Sequence, residues 1–406
     1  MSRSRSERGL DRREFLRRSA AAGLALGAAP AALADAAPRV RRLVPLGDTG
    51  LSIADIGFGS SKLAGDEKLV QHALDRGINY FDTADSYMGG ESERTIGKAL
   101  AGRRDEVVLV SKAKLHADMR REQMMEALEG SLRRLRTDHV DVHFNHAVND
   151  VARVANPEWP EFVSRAKAQG KLRFAGMSGH GGLLLDCVNH VVEHELVDVL
   201  LVAFNFGQDP AFYERILKRF DLIALQPKLP AALQAAKAKG IGVVAMKTLR
   251  GARNHDLSPY QGDRATFAQA AFRWVLSHDY VDSLVVTMRT PGQVDEYLGA
   301  SGWTRSAATD GRVLARYEAE NAKRQCRYGC SSCGDACPAG VPIPEVLRTR
   351  MYAEDYGDLE LARSDYGKLG IDAAACLGCS GEPCATACPH GLPVSELTKR
   401  TGRLLG

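Results

Sequence analysis

Between residues 44 and 300 the chain repeats one pattern: a short β-rich run, then a helical stretch. No other feature narrows the fold as far. The apolar and β-branched runs predict strands at 54–58, 78–82, 106–112, 140–146, 172–177, 198–204, 241–246 and 283–286. Helices fit between them. Over 121–136, Met124, Leu128 and Leu132 recur every four residues, with Met125 and Leu135 flanking the same face. Gly77, Gly170 and Gly240 each precede a strand, where a left-handed residue ends the helix before it.

Eight strand–helix units in about 250 residues match the size of a TIM (β/α)8 barrel. A doubly wound sheet is the alternative, and it calls for Gly-x-Gly-x-x-Gly after its first strand. Here that turn reads Gly57-Phe58-Gly59-Ser60-Ser61-Lys62, which fails at the third glycine. The expected fold is therefore α/β: a barrel over 41–301, with a smaller segment over 302–406.

Composition limits what such a chain does. Hydrophobic content of 45% and charged content of 26% suit a soluble globular protein, and no apolar run is long enough for a membrane span. The net charge of +4 lies wholly in residues 1–34, where seven arginines face Glu7, Asp11 and Glu14. The remainder balances, so no basic field is left to bind nucleic acid.

Barrel active sites sit at the C-terminal ends of the strands. The second strand ends in Asp82-Thr83-Ala84-Asp85-Ser86-Tyr87, the third in Ser111-Lys112, the fourth in His143-Phe144-Asn145-His146. Three neighbouring strands thus offer Asp82, Tyr87, Lys112 and His146 to one mouth. A free tyrosine, with a pKa of about 10, is a poor acid at neutral pH. A nearby ammonium favours the phenolate, so Lys112 activates Tyr87, and Asp82 keeps Lys112 charged and aimed. His146 can hydrogen-bond a substrate oxygen. Such a set protonates a carbonyl oxygen while hydride arrives at its carbon.

These segments resemble the aldo-keto reductase family over about residues 41–301. The family tetrad maps onto Asp82, Tyr87, Lys112 and His146, with Tyr87 as general acid/base. The resemblance implies NADP(H) or NAD(H) and a small carbonyl or alcohol substrate. It implies Ser178 and Met246 near the nicotinamide, with Lys247 beside them, and Arg289 and Gln293 on the adenosine side. Met246-Lys247 resembles the iron–sulfur-bearing branch of the family. The pattern is departed from at Gly179, Leu201 and Tyr297, where the family carries amide side chains, and at Ala147-Val148. Those departures sustain a second reading, a non-enzymatic redox-sensing or nicotinamide-binding module.

Eight of the nine cysteines fall between Cys326 and Cys388. The ninth, Cys187, reads as a small buried core residue. The motifs are Cys326-x3-Cys330-x2-Cys333-x3-Cys337-Pro338 and Cys376-x2-Cys379-x4-Cys384-x3-Cys388-Pro389. Thiolates suit iron–sulfur clusters or zinc, and disulfides are a third possibility in an exported chain. The Cys-Pro closures favour two [4Fe–4S] clusters. In such motifs the fourth cysteine often serves the other cluster. Cys326, Cys330, Cys333 and Cys388 would then hold one cluster, and Cys376, Cys379, Cys384 and Cys337 the second. Pairing within each motif is the alternative. With a helix predicted over 344–352, the segment resembles a helical ferredoxin domain, for which a redox partner protein is expected.

The segment Asp11-Arg12-Arg13-Glu14-Phe15-Leu16-Arg17, followed by an Ala/Gly/Leu stretch and Ala32-Leu33-Ala34, resembles a twin-arginine export signal over 1–34. It implies a periplasmic or otherwise exported protein, folded around its cofactors before it leaves the cytoplasm, with no transmembrane segment in the mature chain.

Overall fold

Alternation along the predicted strands places one set of side chains inside and the other outside. A computed structural model describes residues 37–180, 183–206, 228–250, 252, 256–262, 265–321, 326, 332–355, 357, 359–371 and 373–406. Residues 39–406 form one compact unit. The export segment and Cys330 lie outside the described residues.

Eight parallel strands close a barrel in the order β10-β3-β4-β5-β6-β7-β8-β9. They are β3 (Ile56–Gly59), β4 (Tyr80–Asp82), β5 (Val108–Ala113), β6 (Val140–Asn145), β7 (Leu172–Gly179), β8 (Val199–Ala203), β9 (Gly242–Met246) and β10 (Ser283–Thr287). Every predicted strand is present. Each is followed by a helix that covers the outside. Helix Arg121–Leu135, for example, buries Met124, Met125, Leu128, Leu132 and Leu135, the face read from the sequence. Gly77, Gly170 and Gly240 have φ of 90°, 68° and 75°, as their places before strands require.

Two cores result. Outward-facing strand residues pack on the helices. Inward-facing Tyr80, Val110, Val142, Phe144, Val199, Leu201 and Val244 fill the barrel. Phe144 needs Gly176 beside it, since a Cβ there would lie 2.3 Å from the ring. A short antiparallel hairpin precedes the barrel: β1 (Leu43–Pro45) with β2 (Ser52–Ala54). It adds Val44, Leu46, Leu51 and Ile53 to the interior. Asp48 N–H donates to the Gly240 carbonyl at 2.8 Å, just before β9, so the hairpin plugs the N-terminal end. The sequence reading did not separate this hairpin from β3.

Beyond β10, helix Ala308–Asn321 is pinned to the barrel by two buried ion pairs, Arg250–Glu318 at 2.6 Å and Arg273–Asp310 at 3.5 Å. The remainder is helical, including Ile343–Glu354, Leu359–Tyr366 and Val394–Leu405. It packs around its own core, in which Cys333, Cys376 and Cys384 are buried among Val341, Ile343, Val346 and Val394. The helix predicted over 344–352 is present. Among the described residues no helix is long and apolar enough to cross a membrane.

Candidate active site

The site is the inward row of the barrel carried one step past its packed interior. Two residues beyond Tyr80, Val110, Phe144, Gly176 and Val244 come Asp82, Lys112, His146, Ser178 and Met246. By strand periodicity all five face the C-terminal mouth.

Lys112 is only 1% exposed. Its Nζ donates to Asp82 Oδ1 at 2.7 Å, to the Thr83 carbonyl at 2.6 Å and to Tyr87 Oη at 3.4 Å. Its three donors are thus all spoken for, one by the tyrosine hydroxyl. Burial pulls the Lys112 pKa down, but Asp82 and Tyr87 more than offset this and hold it above the ordinary lysine value. Lys112 therefore stays cationic. Burial raises the Asp82 carboxyl, and Lys112 opposes that rise. The His146 ring meets the Tyr87 ring edge-on, with centroids 5.6 Å apart at 80°. Burial, then Lys112 and His180, hold the His146 imidazole well below the usual histidine range, so it is neutral. Its Nδ1 has no hydrogen-bond partner among the described residues. The four predicted residues are thus brought together.

Backbone strain surrounds them. Met88, Ala147 and Lys247 directly follow Tyr87, His146 and Met246, and have φ of 51°, 52° and 55°. A left-handed conformation costs a non-glycine residue roughly 1–2 kcal/mol, and such strain concentrates at functional sites. At Ala147 the compensation is visible: its N–H donates to Ser178 Oγ at 3.0 Å. Ser178 is thereby engaged in holding the loop after His146.

The remaining predicted cofactor residues lie around β9 and β10. Met246 is half-buried on the barrel interior. Arg289 is exposed just before helix Pro291–Leu298, which Thr290 caps, and its backbone N–H donates to Gln293 Oε1 at 2.8 Å. The departures from the family pattern have physical reasons. A Cβ on Gly179 would lie 2.8 Å from Leu184 Cδ1 and 2.9 Å from the Val148 carbonyl, so an asparagine there requires the leucine and the loop backbone to shift. Leu201 is part of the barrel filling, and Tyr297 is buried against Phe272 with centroids 5.1 Å apart.

Two further residues at the mouth were not singled out as site residues from the sequence. His180, two residues beyond Ser178, continues the inward row of β7. Tyr352 comes from helix Ile343–Glu354 and places its Oη 3.4 Å from His180 Nδ1, with ring centroids 5.6 Å apart. Lys247 Nζ lies 5.9 Å from the Tyr352 ring. The alternation along β7 pointed to His180. Nothing local pointed to Tyr352, 172 residues away.

The sequence pattern of the aldo/keto reductase family matches residues 55–254. L-galactose dehydrogenase of Arabidopsis thaliana is 27% identical over 314 residues, covering 68% of this chain and 92% of the plant protein. The aldo-keto reductase YhdN of Bacillus subtilis is 27% identical, covering 64% and 88%. Among solved structures, an aldo-keto reductase of Klebsiella pneumoniae in complex with NADPH is 25% identical, with a TM-score of 0.51 and coverage of 69% and 95%. The barrel belongs to the aldo/keto reductase family. The aldo/keto reductase barrel makes the chain an oxidoreductase, and the matched segment spans β3 to β9, which include β4, β5 and β6, the strands that carry Asp82, Tyr87, Lys112 and His146 at or just beyond their ends.

The cysteines form a second candidate site. Cys337, Cys376, Cys379 and Cys384 line one small cavity, walled by Pro338, Val341, Ile343 and Pro383, with the Ser395 and Thr398 side chains beside them. Cys337 comes from the first motif and the other three from the second. Cys326, Cys333 and Cys388 belong to the same packed core. Among the described residues no three His, Cys, Asp or Glu side chains are gathered so as to hold a metal ion.

Proposed function

We propose that the chain interconverts a carbonyl compound and the corresponding alcohol with a nicotinamide cofactor, and that Tyr87 is its general acid/base. One observation carries this reading: the run of contacts from Asp82 through Lys112 to the Tyr87 hydroxyl, with neutral His146 against the same ring. The cation held beside the Tyr87 oxygen stabilises the phenolate left when its proton passes to a carbonyl oxygen. His146, being neutral, offers a hydrogen bond to that oxygen without adding a charge to the pocket.

The nicotinamide, when bound, supplies or accepts the hydride. Met246 and Lys247 would border its ring and Arg289 its phosphate end. Arg289 stands at the start of a helix, where peptide dipoles favour an anion, and its guanidinium suits a 2′-phosphate. With the NADPH complex of the Klebsiella relative, this supports NADP(H) over NAD(H). The Ser178 hydroxyl, which accepts the Ala147 N–H, and the missing amides at Gly179 and Leu201 fit a looser grip on the nicotinamide amide.

The cysteine segment is proposed to hold two [4Fe–4S] clusters, which pass single electrons to a partner protein. Thiols are the right donor type, and the four cysteines lining one cavity, three from one motif and one from the other, support the crossed pairing found in two-cluster ferredoxins. Cys326, Cys330, Cys333 and Cys388 would serve the other cluster. The Arg12-Arg13 segment supports export of the folded, loaded chain.

The test is Tyr87→Phe in the full, cluster-loaded chain, assayed by nicotinamide absorbance against a panel of aldehydes and ketones. Turnover is expected to fall by at least about a thousandfold, with the melting temperature unchanged; a variant as active as the wild type would remove Tyr87 from its role. The missing amides at Gly179 and Leu201 favour the second reading, a nicotinamide-binding redox sensor. Tight nicotinamide binding without turnover of any carbonyl would select it.

A further inference from the structure

The mouth of the barrel carries cations that the Asp82–Lys112–Tyr87 chain does not use. Lys114 follows Lys112 by two residues, where β5 runs out, and is exposed. It makes no ion pair among the described residues. Arg348 lies one turn before Tyr352 on the same face of its helix, and Tyr352 rests on His180. Arg348 Nη2 is paired with Glu345, but its Nε is buried without a hydrogen-bond partner among the described residues. A buried guanidinium N–H without an acceptor costs free energy unless a ligand supplies one.

The surroundings agree. Burial depresses the His180 imidazole well below the usual histidine range, and Lys247, Lys114 and Arg348 depress it further. Lys114 acts on His146 in the same sense. Of the acids nearby, Asp82 is paired with Lys112 and Glu345 with Arg348, while Asp85, whose N–H donates to the Lys112 carbonyl, is half-buried with no partner for its Oδ1 among the described residues. Two neutral histidines thus sit within a positive rim that holds unspent donors. This rim is not the predicted phosphate end of the cofactor, because β5 stands three strands from β10, where Arg289 lies.

We propose that the substrate is a carbonyl compound bearing a carboxylate, which Lys114 and Arg348 hold beside the His180–Tyr352 contact. The inference rests on reading the barrel as a carbonyl reductase. It gives the cysteine-bearing segment a part in substrate recognition, since Arg348 and Tyr352 belong to it. A carboxylate would give the Arg348 Nε–H a charge-assisted hydrogen bond and leave the carbonyl end to Tyr87 and His146.

The test uses the full, cluster-loaded chain with two matched probes, 4-oxobutanoate and its methyl ester, and the dead-end pair succinate and dimethyl succinate. The acid is expected to exceed the ester in kcat/KM by at least about tenfold. That ratio should fall by roughly tenfold in Lys114→Gln and in Arg348→Gln, the loss expected for one charge-assisted hydrogen bond. Calorimetry should show succinate binding more tightly than its diester, and more weakly in both variants. Acid and ester handled alike, or ratios unchanged in both variants, overturn the proposal. If neither aldehyde reacts, the carbonyl-reductase reading is left to the wider panel of aldehydes and ketones, and succinate binding decides this inference alone. Binding lost in the variants supports it; no binding, or binding indifferent to the variants, overturns it.

Discussion

Asp82→Asn is the perturbation that best separates the stability role of the tetrad from its chemistry. Lys112 is 1% exposed and its ammonium is 2.7 Å from the Asp82 carboxylate. Removing one partner of a buried ion pair leaves the other charge uncompensated, at a cost of about 3–5 kcal/mol. Replacing both partners with apolar or neutral groups of similar volume is close to neutral. Asp82→Asn should therefore be strongly destabilised, and the double variant Asp82→Asn, Lys112→Met should recover most of that loss. Both should be inactive: the single variant no longer aims its cation at the Tyr87 hydroxyl, and the double variant has none to present. Urea titration followed by tryptophan fluorescence is a suitable assay, since Trp159, Trp274 and Trp303 all report on the barrel side of the chain. For a slope of about 3 kcal/mol/M, a loss of 3–5 kcal/mol lowers the midpoint by roughly 1–1.7 M. If the double variant is as unstable as the sum of its single changes, the two groups are not a coupled buried pair and Lys112 is not held charged by Asp82.

His143 is fully buried on β6 with neither ring nitrogen hydrogen-bonded among the described residues, and burial followed by the Lys112 charge lowers its pKa to about 4. The unfolded chain gains a proton below about pH 6.5 while the folded one does not, so this residue withdraws stability as pH falls from about 6.5 toward 4, by roughly 2 kcal/mol at pH 5. His143→Phe should flatten the stability–pH curve in that window; a curve parallel to the wild type would contradict the buried neutral assignment. The crossed ligand set predicts that Cys337→Ser and Cys376→Ser leave the same residual cluster spectrum by electron paramagnetic resonance, with about half the iron. A Cys337→Ser spectrum matching Cys333→Ser would instead assign Cys337 to its own motif. Gly179→Asn, which restores the family residue, should destabilise the barrel by about 1–3 kcal/mol through its contacts with Leu184 and the Val148 carbonyl, and unchanged stability would show that the loop yields.

What could be read from the sequence was what is local. Each barrel strand carries its own alternation, so all eight were visible, and the tetrad residues were visible because each sits at or just beyond a strand end. The hairpin Leu43–Pro45 and Ser52–Ala54 was not, because two three-residue strands hold too few alternations to register. Tyr352 and Arg348 were out of reach for another reason. Their place at the mouth depends on how a helix far along the chain docks, and no spacing rule encodes that. The departures at Gly179 and Tyr297 were legible as substitutions, but their causes were not. One is a packing collision with Leu184 and the other a buried ring pair with Phe272.

That docking also bears on how separable the two halves are. A cut after residue 301 would take Glu318 from Arg250 and Asp310 from Arg273, where both arginines are buried at 6% and 4% exposure. Stranding buried guanidinium groups costs several kcal/mol, so the barrel is not expected to tolerate loss of the C-terminal segment. The same cut removes Tyr352 from His180 and opens the mouth beside His146. This second effect runs through helix Ile343–Glu354. Ile343, at one end, lines the cysteine cavity, and Tyr352, nine residues on, touches the barrel. The two sites are thus joined by about 14 Å of one helix. A change of packing around the cysteines therefore has a direct mechanical route to the pocket wall, with no flexible linker between them.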